Sequence, residues 1–242
     1  MSTELVVALD FNQPEKANAI IAELKGLPVI YKVGFELFMS VERNWIQNLT
    51  ESGTRIFLDL KFYDIPTTVA AAVLKASSYG VEFLTLHLAG GIRMLDEIDI
   101  CFQESILAGE KLVRPKVLGV SVLTSFKEEE WVANVSHMAK VSGIRTIQET
   151  AMHFASLVHQ HPGVQGMVCS PHEIESIHLK YPRLFLMVPG IRPEGVSHHD
   201  QNRIMTPLEA RNAGASAIVV GRPITRSRDP REMATRILKE IS

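Results

Sequence analysis

The chain has 242 residues, 46% of them hydrophobic, and a formal net charge of −2 with its histidines neutral. That length supports one large domain or two small ones with a sizeable core, and the near-neutral balance excludes the basic field that a nucleic-acid binder presents. No apolar run approaches the ~20 residues that cross a bilayer. Met1-Ser2-Thr3-Glu4 leads into a strand pattern without the basic-then-apolar order of a secretory signal. A soluble cytoplasmic protein with no membrane or nucleic-acid partner is therefore expected. Cys101 and Cys169 make neither a disulfide framework nor a metal spacing. They read as buried free thiols.

In chain order, residues 5–9 form a short apolar run ending in Asp10, and a helix-start signal follows at Asn12-Gln13-Pro14-Glu15. Residues 29–33 read as a second strand carrying Lys32, and 35–49 as one helix. The third strand, Thr54-Arg55-Ile56-Phe57-Leu58, ends in Asp59-Leu60-Lys61-Phe62-Tyr63-Asp64-Ile65-Pro66-Thr67-Thr68. Asp59 and Lys61 are two apart, so persisting strand geometry points both to one side. Charges at the exit of a buried strand are costly unless paired; spacing alone is equally compatible with a surface ion pair. A helix over 68–79, a strand over 83–87 and a helix over 93–108 come next. A strand over 116–122 precedes Thr124, and 127–162 holds a short helix and a longer one over 146–159. Strands over 166–169, 184–188 and 217–220 alternate with helices over 171–181, 207–212 and 230–241. The long polar stretch 189–205 reads as a functional loop.

Eight strand–helix repeats without a linker predict a single α/β domain over 1–242, a (β/α)8 TIM barrel. An open doubly wound sheet would be favoured by G-x-G-x-x-G after the first strand, which is absent. Asp10, Lys32, Asp59, Lys61, Thr124, Arg192 and Arg222 then gather at the C-terminal ends of strands, where barrel active sites lie. Gly221-Arg222 after the last strand suits a phosphate: glycine admits it to backbone N–H groups and arginine supplies a bidentate fork. His87 reads equally as a structural or a pocket histidine. His198-His199-Asp200 is too contiguous to converge on one ion, and Glu128-Glu129-Glu130 reads as a solvated helix start.

Asp59-x-Lys61-x-x-Asp64-Ile65-Pro66-x-Thr68 resembles the active-site signature of the orotidine 5′-phosphate decarboxylase family. Val7-Ala8-Leu9-Asp10 and Tyr31-Lys32-Val33-Gly34 resemble its first two strands, and Pro189-Gly190-Ile191-Arg192-Pro193, Asp200-Gln201-x-Arg203, Thr206-Pro207 and Val219-Val220-Gly221-Arg222-Pro223-Ile224 its phosphate-binding half. The resemblance spans essentially the whole chain in order. It implies a decarboxylase of a nucleotide substrate in pyrimidine synthesis that uses no cofactor and no metal. It further implies Asp10 and Lys32 at the ribose hydroxyls, Lys32 also bonding Asp59, and Asp59 against the substrate carboxylate. Lys61 becomes the proton donor to C6, and Asp64 and Thr68 come from the other subunit of a homodimer with shared sites. Ser121 and Thr124 address the pyrimidine edge, and Arg192, Gln201, Gly221 and Arg222 the phosphate. Tyr63, Thr67 and Ser121 stand where histidine, asparagine and threonine are frequent; none is a charged catalytic position.

Keto-gulonate phosphate decarboxylases and hexulose phosphate synthases share an Asp-x-Lys-x-x-Asp-like motif but use a divalent metal and sugar phosphates. Ile65-Pro66-x-Thr68 and Asp200-Gln201 favour the nucleotide reading. A catalytically silent phosphate-binding barrel is the reading from a different class, and the complete charged array argues against it.

Overall fold

Alternation within the strands decides the architecture. In β1 (Glu4–Ala8), β2 (Val29–Gly34) and β3 (Ile56–Phe62), successive side chains face opposite sides. Leu5, Val7, Tyr31, Val33, Ile56, Leu58 and Leu60 join a large outer core under the helices, whereas Val6, Ala8, Ile30 and Phe57 join a small inner one. Both faces of the sheet are thus buried, as an all-parallel sheet requires. β4 (Phe83–His87), β5 (Lys116–Val120), β6 (Gly166–Val168), β7 (Phe185–Val188) and β8 (Ala217–Val220) continue the pattern. The strands pair in sequence order, all parallel, and β8 closes on β1 in the register Leu5↔Ile218. The computed structural model describes residues 3–42, 44–110, 112–136, 146–194 and 205–242. It is a single (β/α)8 barrel.

Helices α1 (Pro14–Glu23), α2 (Phe35–Phe38), α3 (Trp45–Glu51), α4 (Pro66–Ser77) and α5 (Ile92–Leu107) occupy the first half. The second half carries α6 (Glu128–Ser136), α7 (Ile147–Gln160), α8 (Ile174–Lys180), α9 (Pro207–Asn212), α10 (Arg222–Thr225) and α11 (Pro230–Ile241). Local chemistry sets many of their ends. Thr146–Glu149 and Thr206–Glu209 form capping boxes at α7 and α9. Asp229 caps α11, with Pro230 at the first helical position. From α11, Arg231 donates to the carbonyls of Glu23 and Lys25 at 2.8 and 3.0 Å, tying the last helix to the end of the first. Glu128, Glu129 and Glu130 are exposed at the start of α6, as expected. Among the described residues no helix is long and apolar enough to cross a membrane.

Three expectations need correction. The segment 35–49 forms two short helices rather than one: the Ser40 hydroxyl bonds back to the Glu36 carbonyl at 2.7 Å, and Met39, which would continue the apolar stripe, is 80% exposed. Strand β3 runs on through the polar motif to Phe62, because Asp59 and Lys61 take inward positions and Leu60 an outward one. Cys169 is buried, but Cys101 on α5 is only half-buried; both are free thiols.

The N-terminal end of the barrel is plugged. Phe57, Phe83 and Phe185 pack in succession, with ring centroids 6.2 and 5.3 Å apart. Below them Arg55 grips Glu82 with Nε and Nη2 at 2.7 and 2.8 Å and reaches Glu4 at 2.7 Å. Lys116 lies 4.8 Å from the Phe83 ring centroid and 3.5 Å from Glu82. The Arg55 hydrogen bond holds the Glu82 carboxyl below its ordinary range, against the opposing effect of burial. This contribution to stability is complete above the ordinary glutamate pKa and is lost as pH falls through the depressed one. Arg55→Ala should cost about 1–2 kcal/mol, discounted for the solvent that reaches this arginine. Thermal melts should record a fall of a few degrees at neutral pH that shrinks toward acid; equal stability of the two proteins at neutral pH would show the network to be ornamental.

Candidate active site

At the opposite end, the C-terminal ends of three strands, β1, β2 and β3, bring four charges into one line. Asp59, inward on β3, is buried. Lys61 Nζ reaches both of its carboxylate oxygens at 2.9 Å. Lys32 from β2 approaches Asp59 Oδ2 at 3.7 Å and bonds Asp10 Oδ1, just beyond β1, at 2.9 Å. The result is an alternating series: Lys61, Asp59, Lys32, Asp10. Burial alone would raise the Asp59 pKa. The ammonium groups of Lys32 and Lys61, with hydrogen bonds from Lys61 and Thr85, outweigh burial and hold it below the usual carboxylate range. Gly34 leaves room for the lysine, since a Cβ there would lie 3.2 Å from Lys32 Nζ.

The series joins two cavities. The inner one, about 130 Å³, is walled by apolar side chains, among them Val122, Met187 and Val219, with Asp59, Lys61, Lys32 and Thr124 on it. Cys169 also lines it, with burial pushing its thiol pKa well up, so it is a neutral wall. The outer cleft, about 600 Å³, is lined by Asp10, Arg222, Lys16 and Arg226. Gly221 faces it: a Cβ there would sit 3.7 Å from Asp10 Oδ2. Among the described residues, no three His, Cys, Asp or Glu side chains converge as metal ligands do.

Other expected residues stand apart from this line. The Ser121 hydroxyl is buried and lies 3.3 Å from the Val168 carbonyl across the β5–β6 seam. Arg192 is buried; its backbone N–H donates to the Met205 carbonyl and its Nη1 to the Ile191 carbonyl, both at 2.9 Å. Asp64 and Thr68 are exposed at the β3–α4 turn, where Asp64 accepts from the Ile65 N–H at 2.7 Å. Gln201, like the His198-His199-Asp200 cluster, lies outside the described residues. His87 ends β4 with its ring 5.8 Å from Tyr63. Burial, then the Lys61 charge, lowers its pKa, with Asp59 opposing, which favours the neutral ring.

The sequence profile of the orotidine 5′-phosphate decarboxylase / HUMPS family matches residues 3–237. The chain belongs to this family. It is 38% identical over 239 residues to orotidine 5′-phosphate decarboxylase of Pseudomonas putida (strain GB-1), covering 99% of this chain and 97% of the relative. To the enzyme of that name from Synechococcus sp. (strain CC9311) it is 40% identical over 227 residues, covering 93% and 90%. The crystal structure of orotidine 5′-phosphate decarboxylase from Lactobacillus acidophilus superposes with a TM-score of 0.81 at 33% identity, covering 99% of both chains.

Within this decarboxylase-family barrel, one buried polar residue went unread in the sequence. Thr85 in β4 is fully buried and lies between Asp59 and Lys61, accepting from the Lys61 N–H at 3.0 Å and donating to Asp59 Oδ1 at 2.9 Å. The available signal was a lone hydroxyl in Phe83-Leu84-Thr85-Leu86 at the parity of the inward residues.

Proposed function

We propose that this chain converts orotidine 5′-phosphate to uridine 5′-phosphate and carbon dioxide, the last step of pyrimidine nucleotide synthesis. The observation that carries the reading is the alternating charge series from Lys61 to Asp10, with an apolar pocket at one end and the Arg222 cleft at the other. Such a site suits a ligand with a planar base whose faces pack on apolar walls, hydroxyls in its middle and a phosphate at its far end. In the reaction the bond from C6 to the carboxylate breaks and carbon dioxide leaves with no electrons from that bond. The pair left on C6 has no adjacent carbonyl to spread into. Lys61 supplies a positive charge where that pair develops and the proton that ends on C6. Asp59 holds Lys61 and meets the substrate carboxylate. Asp10 and Lys32 take the ribose hydroxyls, Thr124 and the Ser121 strand end the pyrimidine edge, and Arg222, Gly221, Arg192 and Gln201 the phosphate side.

Loss of orotidine 5′-phosphate absorbance on adding purified protein, with chelator present, is the direct test. Turnover that disappears with chelator and returns with a divalent metal would favour the sugar-phosphate branch of the family. Arg222→Ala should lower kcat/KM on the phosphorylated substrate by about 10–150-fold, the equivalent of a charge-assisted hydrogen bond of roughly 1.5–3 kcal/mol. Orotidine without its phosphate should react poorly with both proteins and alike; equal damage on both substrates would place Arg222 elsewhere.

The working unit in this reading is a homodimer whose sites are shared. Phe35, Met39, Tyr63 and Ile65 are 56%, 80%, 61% and 65% exposed on the β2–α2 and β3–α4 segments beside the site. Large exposed apolar side chains of this kind invite a partner, and a two-fold axis beside them would carry the exposed Asp64 and Thr68 toward the other chain's Lys61.

A further inference from the structure

We infer that Thr85 is a positioning residue of the decarboxylation site, setting both the backbone of Lys61 and the carboxylate of Asp59 through a single hydroxyl. The inference rests on the function proposed above. Lys61 has φ of +45°, the only non-glycine residue at positive φ among those described. A side chain at such a backbone is strained and persists only where its surroundings impose it.

The β3–β4 ladder shows what imposes it. Register runs Phe57↔Phe83 and Leu58↔Leu84 and resumes at Phe62↔Leu86, so β3 takes four steps while β4 takes two. Asp59, Leu60 and Lys61 share the space opposite Thr85, and the ordinary backbone ladder is interrupted there. The Lys61 N–H then bonds the Thr85 hydroxyl at 3.0 Å in place of a strand carbonyl.

The hydroxyl has one proton, and its direction is forced. An ionised carboxylate only accepts and a backbone N–H only donates. Thr85 Oγ1 therefore donates to Asp59 Oδ1 at 2.9 Å and accepts from Lys61. Asp59 Oδ1 in turn receives Lys61 Nζ at 2.9 Å. Backbone N–H, hydroxyl, carboxylate and ammonium form a closed ring of three bonds that begins and ends on Lys61. Thr85 itself is fully buried. Removing the hydroxyl leaves the Lys61 N–H without its acceptor and frees the bulge to relax, displacing the ammonium from the point where charge develops.

Thr85→Val keeps the shape and removes the hydroxyl; Thr85→Ser keeps the hydroxyl. We expect Thr85→Val to lower kcat about 10–100-fold, the scale of a ~1 Å misplacement of a reacting group. KM should change by no more than about 3-fold, because the phosphate cleft is untouched. Thr85→Ser should retain kcat within about 3-fold of wild type. Val at wild-type kcat, or Ser as impaired as Val, overturns the inference. Should Thr85→Val not fold, Thr85→Cys takes its place: a weaker hydrogen-bonding group should give an intermediate kcat, and full activity overturns the inference. Crystal structures of wild type and the variant supply a reading independent of turnover. Lys61 should leave positive φ in the variant; an unchanged Lys61 backbone and Asp59 contact overturns the inference. A wild-type protein inactive on orotidine 5′-phosphate sinks the proposed function, whereas the backbone comparison still judges Thr85.

Discussion

Lys61→Ala should abolish measurable decarboxylation while leaving the barrel folded. One well-placed electrostatic group is typically worth ~10²–10³ in rate, and in the proposed mechanism Lys61 supplies both charge and proton, so the loss should exceed that range. Folding should survive for reasons visible around the residue. The Lys61 side chain is part-exposed at the strand exit, and the neighbouring core positions Leu58 and Leu60 are unaltered. Asp59 keeps the Thr85 hydroxyl at 2.9 Å and Lys32 at 3.7 Å, so its buried charge is not orphaned. Alanine carries the same Cβ as lysine, so the strain of φ +45° is not increased. Circular dichroism and a thermal melt establish the fold, and spectrophotometric turnover gives the rate. Substantial activity in a folded Lys61→Ala protein would count decisively against the mechanism.

Recovery of activity from two inactive proteins is the second large effect. Lys61→Ala and Asp64→Ala are prepared separately, and each homodimer should carry two impaired sites. The two are unfolded, mixed in equal amounts and refolded. With random pairing about half of the dimers are mixed, and in each of these one site inherits both lesions and the other neither, so about a quarter of all sites should be intact. Activity should rise toward that fraction of wild type. In the folded chain the Asp64 carboxylate caps the Ile65 N–H at 2.7 Å and is exposed, while Lys61 pairs with Asp59. Failure to recover activity when mixed dimers demonstrably form would place Lys61 and Asp64 in one chain, even if the decarboxylase reading stood.

Much of this site was legible before the fold was known, because its charged residues stand at the ends of predicted strands. Asp59 and Lys61, two apart, meet as the spacing demands, and Lys32 and Asp10 fall at strand ends in the same ring. β8, α9 and α11 run over the residues expected of them, 217–220, 207–212 and 230–241. Three features were not legible, each for a physical reason. Thr85 looked like an ordinary β-branched strand residue, and its role depends on a bulge in the neighbouring strand. The positive φ of Lys61 leaves no mark in composition, since glycine, asparagine and aspartate are the residues that advertise it. The break after Phe38 comes from a serine bonding back to its own helix, which periodicity does not see.

β3 has a reading frame. Phe57, Asp59 and Lys61 occupy one parity, an aromatic plug followed by an ion pair, while Ile56, Leu58 and Leu60 occupy the other and hold the helices. A slip of one residue exchanges the two sets. It would put a carboxylate and an ammonium into the grease beneath α4 and turn three aliphatic groups into the lumen. The strand has no frame that keeps the core and discards the chemistry. A one-residue insertion or deletion between 56 and 60 should therefore read out as missing protein rather than as inactive protein, and the charged residues are sheltered from such drift by the hydrophobic ones they alternate with.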